Sequence, residues 1–114
     1  MITLWHNPRC SKSRQALALL EAAGTELTIR RYLDDAPSAA EIIQLRKALG
    51  GPPLIEMMRT GEKIFKELGL SKTTDEKTLL DALASHPILL ERPVAIKRDR
   101  AVIGRPPENV RALL

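Results

Sequence analysis

The chain is short of aromatic residues. Trp5, Tyr32 and Phe65 are the whole set in 114 residues, so the core has to be built from Leu, Ile, Val and Ala, and no row of exposed rings is available to stack nucleobases. It has a single cysteine, Cys10, and two histidines. That excludes an internal disulfide and a C-x-x-C dithiol site, and no Cys/His cluster has metal-ligand spacing, so no metal is expected. Long apolar runs are missing too. The stretch MITLWHNPRC reaches proline and charge within ten residues, too early for a signal peptide or a spanning helix. The expectation is a cytoplasmic protein with no membrane partner, in a compartment where thiols stay reduced.

What is present suits one folded domain over residues 1–114. Hydrophobic residues make up 44% of the chain, enough to bury a core rather than stay disordered. The net charge of +4 and a pI near 9.6 fit nucleic acid, an acidic partner or a small anion equally well. The arginines are scattered rather than continuous, which speaks against nucleic acid.

Ile2 to His6 reads as a short strand, closed by Asn7-Pro8 because proline cannot donate to a ladder and restricts the residue before it. A helix follows from about Ser11, with Ala16, Leu17, Leu20 and Ala23 at helical spacing and Gly24 as its stop. Leu27 to Leu33 reads as a second strand. Ser38 and Glu41 form a capping-box pattern for a helix to Leu49. "LIEMMR" and "KIFKELG" are one or two helical turns each, and Thr73 to Glu76 is a second capping-box pattern before a helix to about Ser85. "VAIK" and "AVIG" flank Arg98-Asp99-Arg100 as a hairpin, and "ENVRALL" reads as an amphipathic terminal helix. The order is β-α-β, a helical block, β-β, α. The first two strands should pair in parallel through a right-handed crossover. The expected fold is α/β: a thioredoxin-like mixed four-stranded sheet with a helical insertion between its two halves, at about residues 35–86.

Cys10 then lies at the strand–loop–helix junction, where α/β sheets bind ligands. The helix dipole, the unpaired amides of the first turn and the nearby Arg9, Lys12 and Arg14 all favour thiolate. A lone cytosolic cysteine is most often a small buried residue, but Cys10 stands outside any periodic apolar run and has polar neighbours. A cysteine phosphatase would need C-x5-R, and position 16 is Ala16. What remains is C-x-x-S, ending at Ser13, a monothiol site whose disulfides must be formed with another molecule.

Four stretches together resemble the ArsC family, the arsenate reductases coupled to glutathione and glutaredoxin: "HNPRCSKSR", "MMRTGEKIFKELGL", "HPILLERPVAI" and "IGRPPENV". The resemblance covers essentially the whole chain, and its compact length is similar to the short genomic branch of that family. It implies Cys10 as nucleophile, Arg59, Arg92 and Arg105 around a bound oxyanion, and His6 near the thiol, helping to set its ionisation, with Ser13 and Arg14 beside it. It also implies arsenate or a similar tetrahedral oxyanion as substrate, glutathione as co-substrate, glutaredoxin as partner and no bound cofactor. Two rivals use the same fold. A glutathione-linked thiol transferase would use Cys10 without arsenate. An Spx-like regulator that binds RNA polymerase would want C-x-x-C for its redox switch, which Ser13 denies.

Overall fold

The computed structural model describes all residues, 1–114. Its centre is a four-stranded mixed sheet in the order β2-β1-β3-β4. Strand β1 (Ile2–Trp5) and β2 (Leu27–Arg30) run parallel, joined by helix α1 (Ser11–Ala22). Strand β3 (Val94–Lys97) lies antiparallel to β1, and β4 (Arg100–Ile103) antiparallel to β3. Between β2 and β3 come α2 (Ala39–Ala48), a 3-10 turn at Leu54–Met57, α3 (Lys63–Glu67), α4 (Glu76–Ser85) and a second 3-10 turn at Pro87–Leu89. This is the thioredoxin-like order with a helical insertion. No helix is long and apolar enough to cross a membrane.

The alternation of β1 explains the layering. Ile2 and Leu4 point to one face, where they meet Ala16 and Leu20 of α1, Ala95 of β3, and Val110 and Leu113 from the chain end. Trp5 points to the other face, into a larger cluster with Val94, Ala101, Tyr32 and the insertion residues Ile42, Leu45, Phe65, Leu79 and Leu83. Successive strand residues face opposite ways, so a sheet with apolar residues of both parities needs a cover on each side. The insertion provides the second cover. Truncating one of these fully buried leucines to Ala costs about 2–5 kcal/mol.

Four local details differ from the sequence reading. The second strand ends at Arg30 rather than Leu33. The His6 amide donates to Arg30 O at 2.8 Å, and Asn7-Pro8 then leaves β2 no partner, so residues 32–34 turn and Tyr32 drops into the core. The expected box at Thr73–Glu76 does not form. Asp75 is the N-cap instead, its carboxylate accepting from the Thr78 amide at 3.2 Å and the Thr78 hydroxyl at 2.7 Å, while Thr74 Oγ1 closes a turn by accepting from the Ser71 amide. The hairpin turn is Arg98-Asp99 alone, since Arg100 already pairs with Lys97. The terminal segment is a 3-10 helix, Pro107–Leu113, not an α-helix. Its buried residues Pro107, Val110 and Leu113 recur every third position, and three residues per turn puts them on one line against the sheet.

Candidate active site

The loop leaving β1 is built around a serine. Ser13 is fully buried, and its hydroxyl accepts from the Asn7 amide at 3.0 Å and lies 2.6 Å from His6 Nδ1. Asn7 in turn accepts from the Arg9 amide through Oδ1 at 3.0 Å, and its carbonyl accepts from the Cys10 amide at 3.0 Å. Arg14 closes the loop from outside, donating from Nη1 to Pro8 O at 2.9 Å. These bonds fix Cys10 as the N-cap of α1, in extended geometry. Its side chain makes no capping bond, and the first turn carries no acidic residue. No carboxylate therefore offsets the positive end of the helix, which favours negative charge at Cys10 and in front of it.

The Cys10 thiol is half-buried. Burial pushes it up, but the backbone amide of Ser13, the Arg92 guanidinium and the Lys12 amide outweigh that and hold it below the ordinary thiol value. His6 goes the other way from a conventional activating imidazolium. Burial, then the charges of Arg31 and Arg14, lower its pKa, so near neutral pH it is an uncharged ring bonded to Ser13. His6 and Arg14 hold the loop by their bonds to Ser13 and Pro8 O and are not among the groups that shift the Cys10 thiol, whereas the Ser13 amide is.

The three arginines named from the sequence are brought together around Arg92. An antiparallel bridge pairs Met58 with Leu90, flanked by Arg59 N–H donating to Leu89 O at 2.7 Å and Glu91 N–H donating to Met57 O at 2.9 Å. This ties Arg59, on the insertion, to the segment leading into β3. Arg105 leaves the end of β4 and donates from Nη1 to Arg92 O at 3.3 Å. The peptide bonds after Arg92 and Arg105 are both cis. Between the two segments Gly104 donates its N–H to Pro93 O at 2.8 Å, and a Cβ placed on it would lie 2.8 Å from the Pro93 ring. The absence of a side chain there lets the two arginine-bearing segments approach.

Three further residues belong to the site and were not singled out in the sequence. Glu62 lies 3.3 Å from Arg59 Nε and 3.7 Å from Arg92 Nη1. Glu91 lies 3.8 Å from Arg105 Nε. Tyr32 feels the charges of Arg92, Cys10 and Arg59, and burial leads in pushing its phenol up to about 12, so it stays protonated. The Tyr32 hydroxyl and Arg92 Nε are buried without a hydrogen-bond partner. A spacing of three from Arg59 was the available signal for Glu62. Nothing local signalled Tyr32. No group of three His, Cys, Asp or Glu side chains converges as a metal site would require.

The structure is a thioredoxin-like domain with one cysteine, its thiol held below the ordinary value, at a helix N-terminus, and with Arg59, Arg92 and Arg105 on segments that meet at Arg92. The ArsC family model matches residues 5–113, and the chain belongs to the ArsC family. The arsenate reductase of Neisseria meningitidis serogroup A is 45% identical, over 99% of this chain and 97% of that protein. That of Haemophilus influenzae is 41% identical, over 99% and 98%. The solved structure of an arsenate reductase from Vibrio cholerae superposes with a TM-score of 0.94 at 41% identity, covering 99% of this chain and 97% of that one.

Proposed function

We propose that this protein is an arsenate reductase that uses Cys10 as nucleophile and draws its electrons from glutathione and glutaredoxin. The observation that carries the reading is the meeting of the Arg59, Arg92 and Arg105 segments at Arg92, the same guanidinium that helps hold the Cys10 thiol below its ordinary value. Guanidinium groups stay charged at any working pH and match tetrahedral oxyanions bidentately. Their charge and the helix-end amides offset the repulsion between a thiolate and an arsenate dianion, as oxyanion-stabilising donors do.

Cys10 thiolate attacks arsenic, and an arsenate oxygen leaves as water after protonation, giving a Cys10–S–As(V) bond. A glutathione thiolate then attacks the Cys10 sulfur. The sulfur–arsenic bond pair departs with arsenic, which leaves as arsenite, As(III), and Cys10 is left in a mixed disulfide with glutathione. Glutaredoxin attacks the glutathione sulfur and releases Cys10 thiolate. With one cysteine in the chain, the second thiol has to come from outside.

The test is NADPH oxidation coupled through glutathione, glutaredoxin and glutathione reductase, with and without arsenate, for the wild type and Cys10→Ser. Arsenate-dependent oxidation that disappears in Cys10→Ser is the expected result. No arsenate dependence in a folded protein with active coupling enzymes would remove arsenate as substrate and favour glutathione-linked thiol transfer.

A further inference from the structure

Glu62 occupies an odd place for a carboxylate. It is the N-cap residue of α3 yet makes no side-chain capping bond. Its Oε1 reaches instead toward Arg59 and Arg92 together, at 3.3 and 3.7 Å. The Glu62 and Arg92 side chains are only 22% and 13% exposed, so this is not a solvated surface pair of the kind worth little. A carboxylate oxygen and an oxyanion oxygen are the same kind of acceptor for a guanidinium. Glu62 therefore stands as a counter-ion to two of the guanidiniums that a bound oxyanion would need, without closing a hydrogen bond to Arg92, whose Nε is left without a partner.

We propose that Glu62 is a resident competitor of the oxyanion: it holds Arg59 and Arg92 in register while the site is empty and gives up Arg92 when a tetrahedral dianion binds. The inference rests on the oxyanion reading above. The charges agree with it. Arg59, Arg92 and Arg105 are each within ion-pair distance of Glu62 or Glu91, so two of the three guanidinium charges are already offset while the site is empty. A dianion enters readily only if a carboxylate withdraws, and a doubly charged ligand displaces it better than a singly charged one. Glu62 is thus a positioning and selectivity residue that acts through Arg92.

The test uses sulfate, a tetrahedral dianion that does not react with thiols, beside arsenate. Binding is measured by calorimetry in a Cys10→Ser background, with and without Glu62→Gln. Removing a charge about as effective as a half-buried ion pair should tighten both anions about tenfold, which is 1.4 kcal/mol. In the chain that retains Cys10, and with no anion present, Glu62→Gln should move the pH midpoint of iodoacetamide alkylation downward, because Arg92 then faces the thiolate without its counter-ion. A purely structural role would leave that midpoint in place. Glu62→Ala should shift both readouts in the same direction. Unchanged or weaker sulfate binding in Glu62→Gln, or a midpoint that stays or rises, overturns the proposal. Failure of the reductase reading looks different: no arsenate-dependent NADPH oxidation in either form, while Glu62→Gln still tightens sulfate.

Discussion

Removing one oxygen from Ser13 tests how the cysteine loop is held. In Ser13→Ala the Asn7 amide loses the hydroxyl that accepts from it at 3.0 Å, and His6 Nδ1 loses its partner at 2.6 Å. Both His6 and Asn7 are buried, so water does not replace the bonds without a local opening. An unsatisfied buried amide costs about 1–3 kcal/mol and the second bond about 1 kcal/mol, while the better helix propensity of Ala returns about 0.5 kcal/mol. The net loss is about 2 kcal/mol. With an unfolding entropy near 2.1 cal/mol/K per residue, that lowers the Tm of a chain this size by about 8 °C. Trp5, buried at the end of β1, is the only tryptophan, so its fluorescence reports urea unfolding directly. An unchanged m-value with a reduced midpoint is expected. The Ser13 amide is also the largest influence favouring the Cys10 thiolate, so loosening it should raise the pH midpoint of Cys10 alkylation. A variant within about 0.5 kcal/mol of wild type, the scatter of neutral substitutions, would refute this account of the loop.

Gly104→Ala should destabilise the domain by about 1–3 kcal/mol, the usual cost of overpacking, because the added methyl lies 2.8 Å from the Pro93 ring and 3.2 Å from Val110; thermal unfolding checks it, and a stability-neutral variant would be evidence against the close approach of the two arginine segments. Glu41 anchors α2, accepting from Arg30 and from the Ser38 amide, and Arg30 leads in bringing its carboxyl from 4.5 down to about 2. A depressed carboxyl contributes stability above its unfolded value and loses it as pH falls through the folded one. Its side chain is 45% exposed, so solvent screening reduces the contribution to about 1 kcal/mol. Glu41→Gln should then be about 1 kcal/mol less stable at pH 7, with the gap to wild type closing between pH 4.5 and 2; a gap that persists at pH 2 in urea titrations contradicts it.

The sheet order was legible because each signal was local and unopposed. Pro8 and Gly24 bracket α1, and the Ser38–Glu41 box makes both of its bonds. Where two local signals competed, the sequence was ambiguous. Asp75 outcompeted Thr73 as a cap because its carboxylate reaches both groups of Thr78. At the chain end, a three-residue spacing of Pro107, Val110 and Leu113 is compatible with an amphipathic α-helix until the sheet surface they cover is known. The second strand was overextended for a similar reason: "RRYL" alternates well enough, but a strand lasts only as long as its neighbour, and Asn7-Pro8 ends that neighbour from outside the segment.

The site divides along the same line. Cys10 and Ser13 are neighbours on one turn, so their relation could be read from spacing, whereas the arginines lie on the insertion, before β3 and after β4, and are joined only by tertiary bonds: the Met58–Leu90 bridge, the Glu62 carboxylate and the Arg92 carbonyl. The sequence reading could propose that set only through resemblance. It had no means of finding the counter-ions, because a glutamate beside an arginine in the chain looks the same whether it is a solvated pair or a stand-in ligand. The difference lies in what else shares the carboxylate. Glu62 has a second guanidinium, Arg92, which is half-buried and whose buried Nε has no partner. An arginine cluster that faces a thiolate has to be kept from collapsing onto its own acids while remaining able to release them. In this chain the bridge that positions Arg59 also brings Glu62 to Arg92, so the insertion sets both the cluster and its counter-ion.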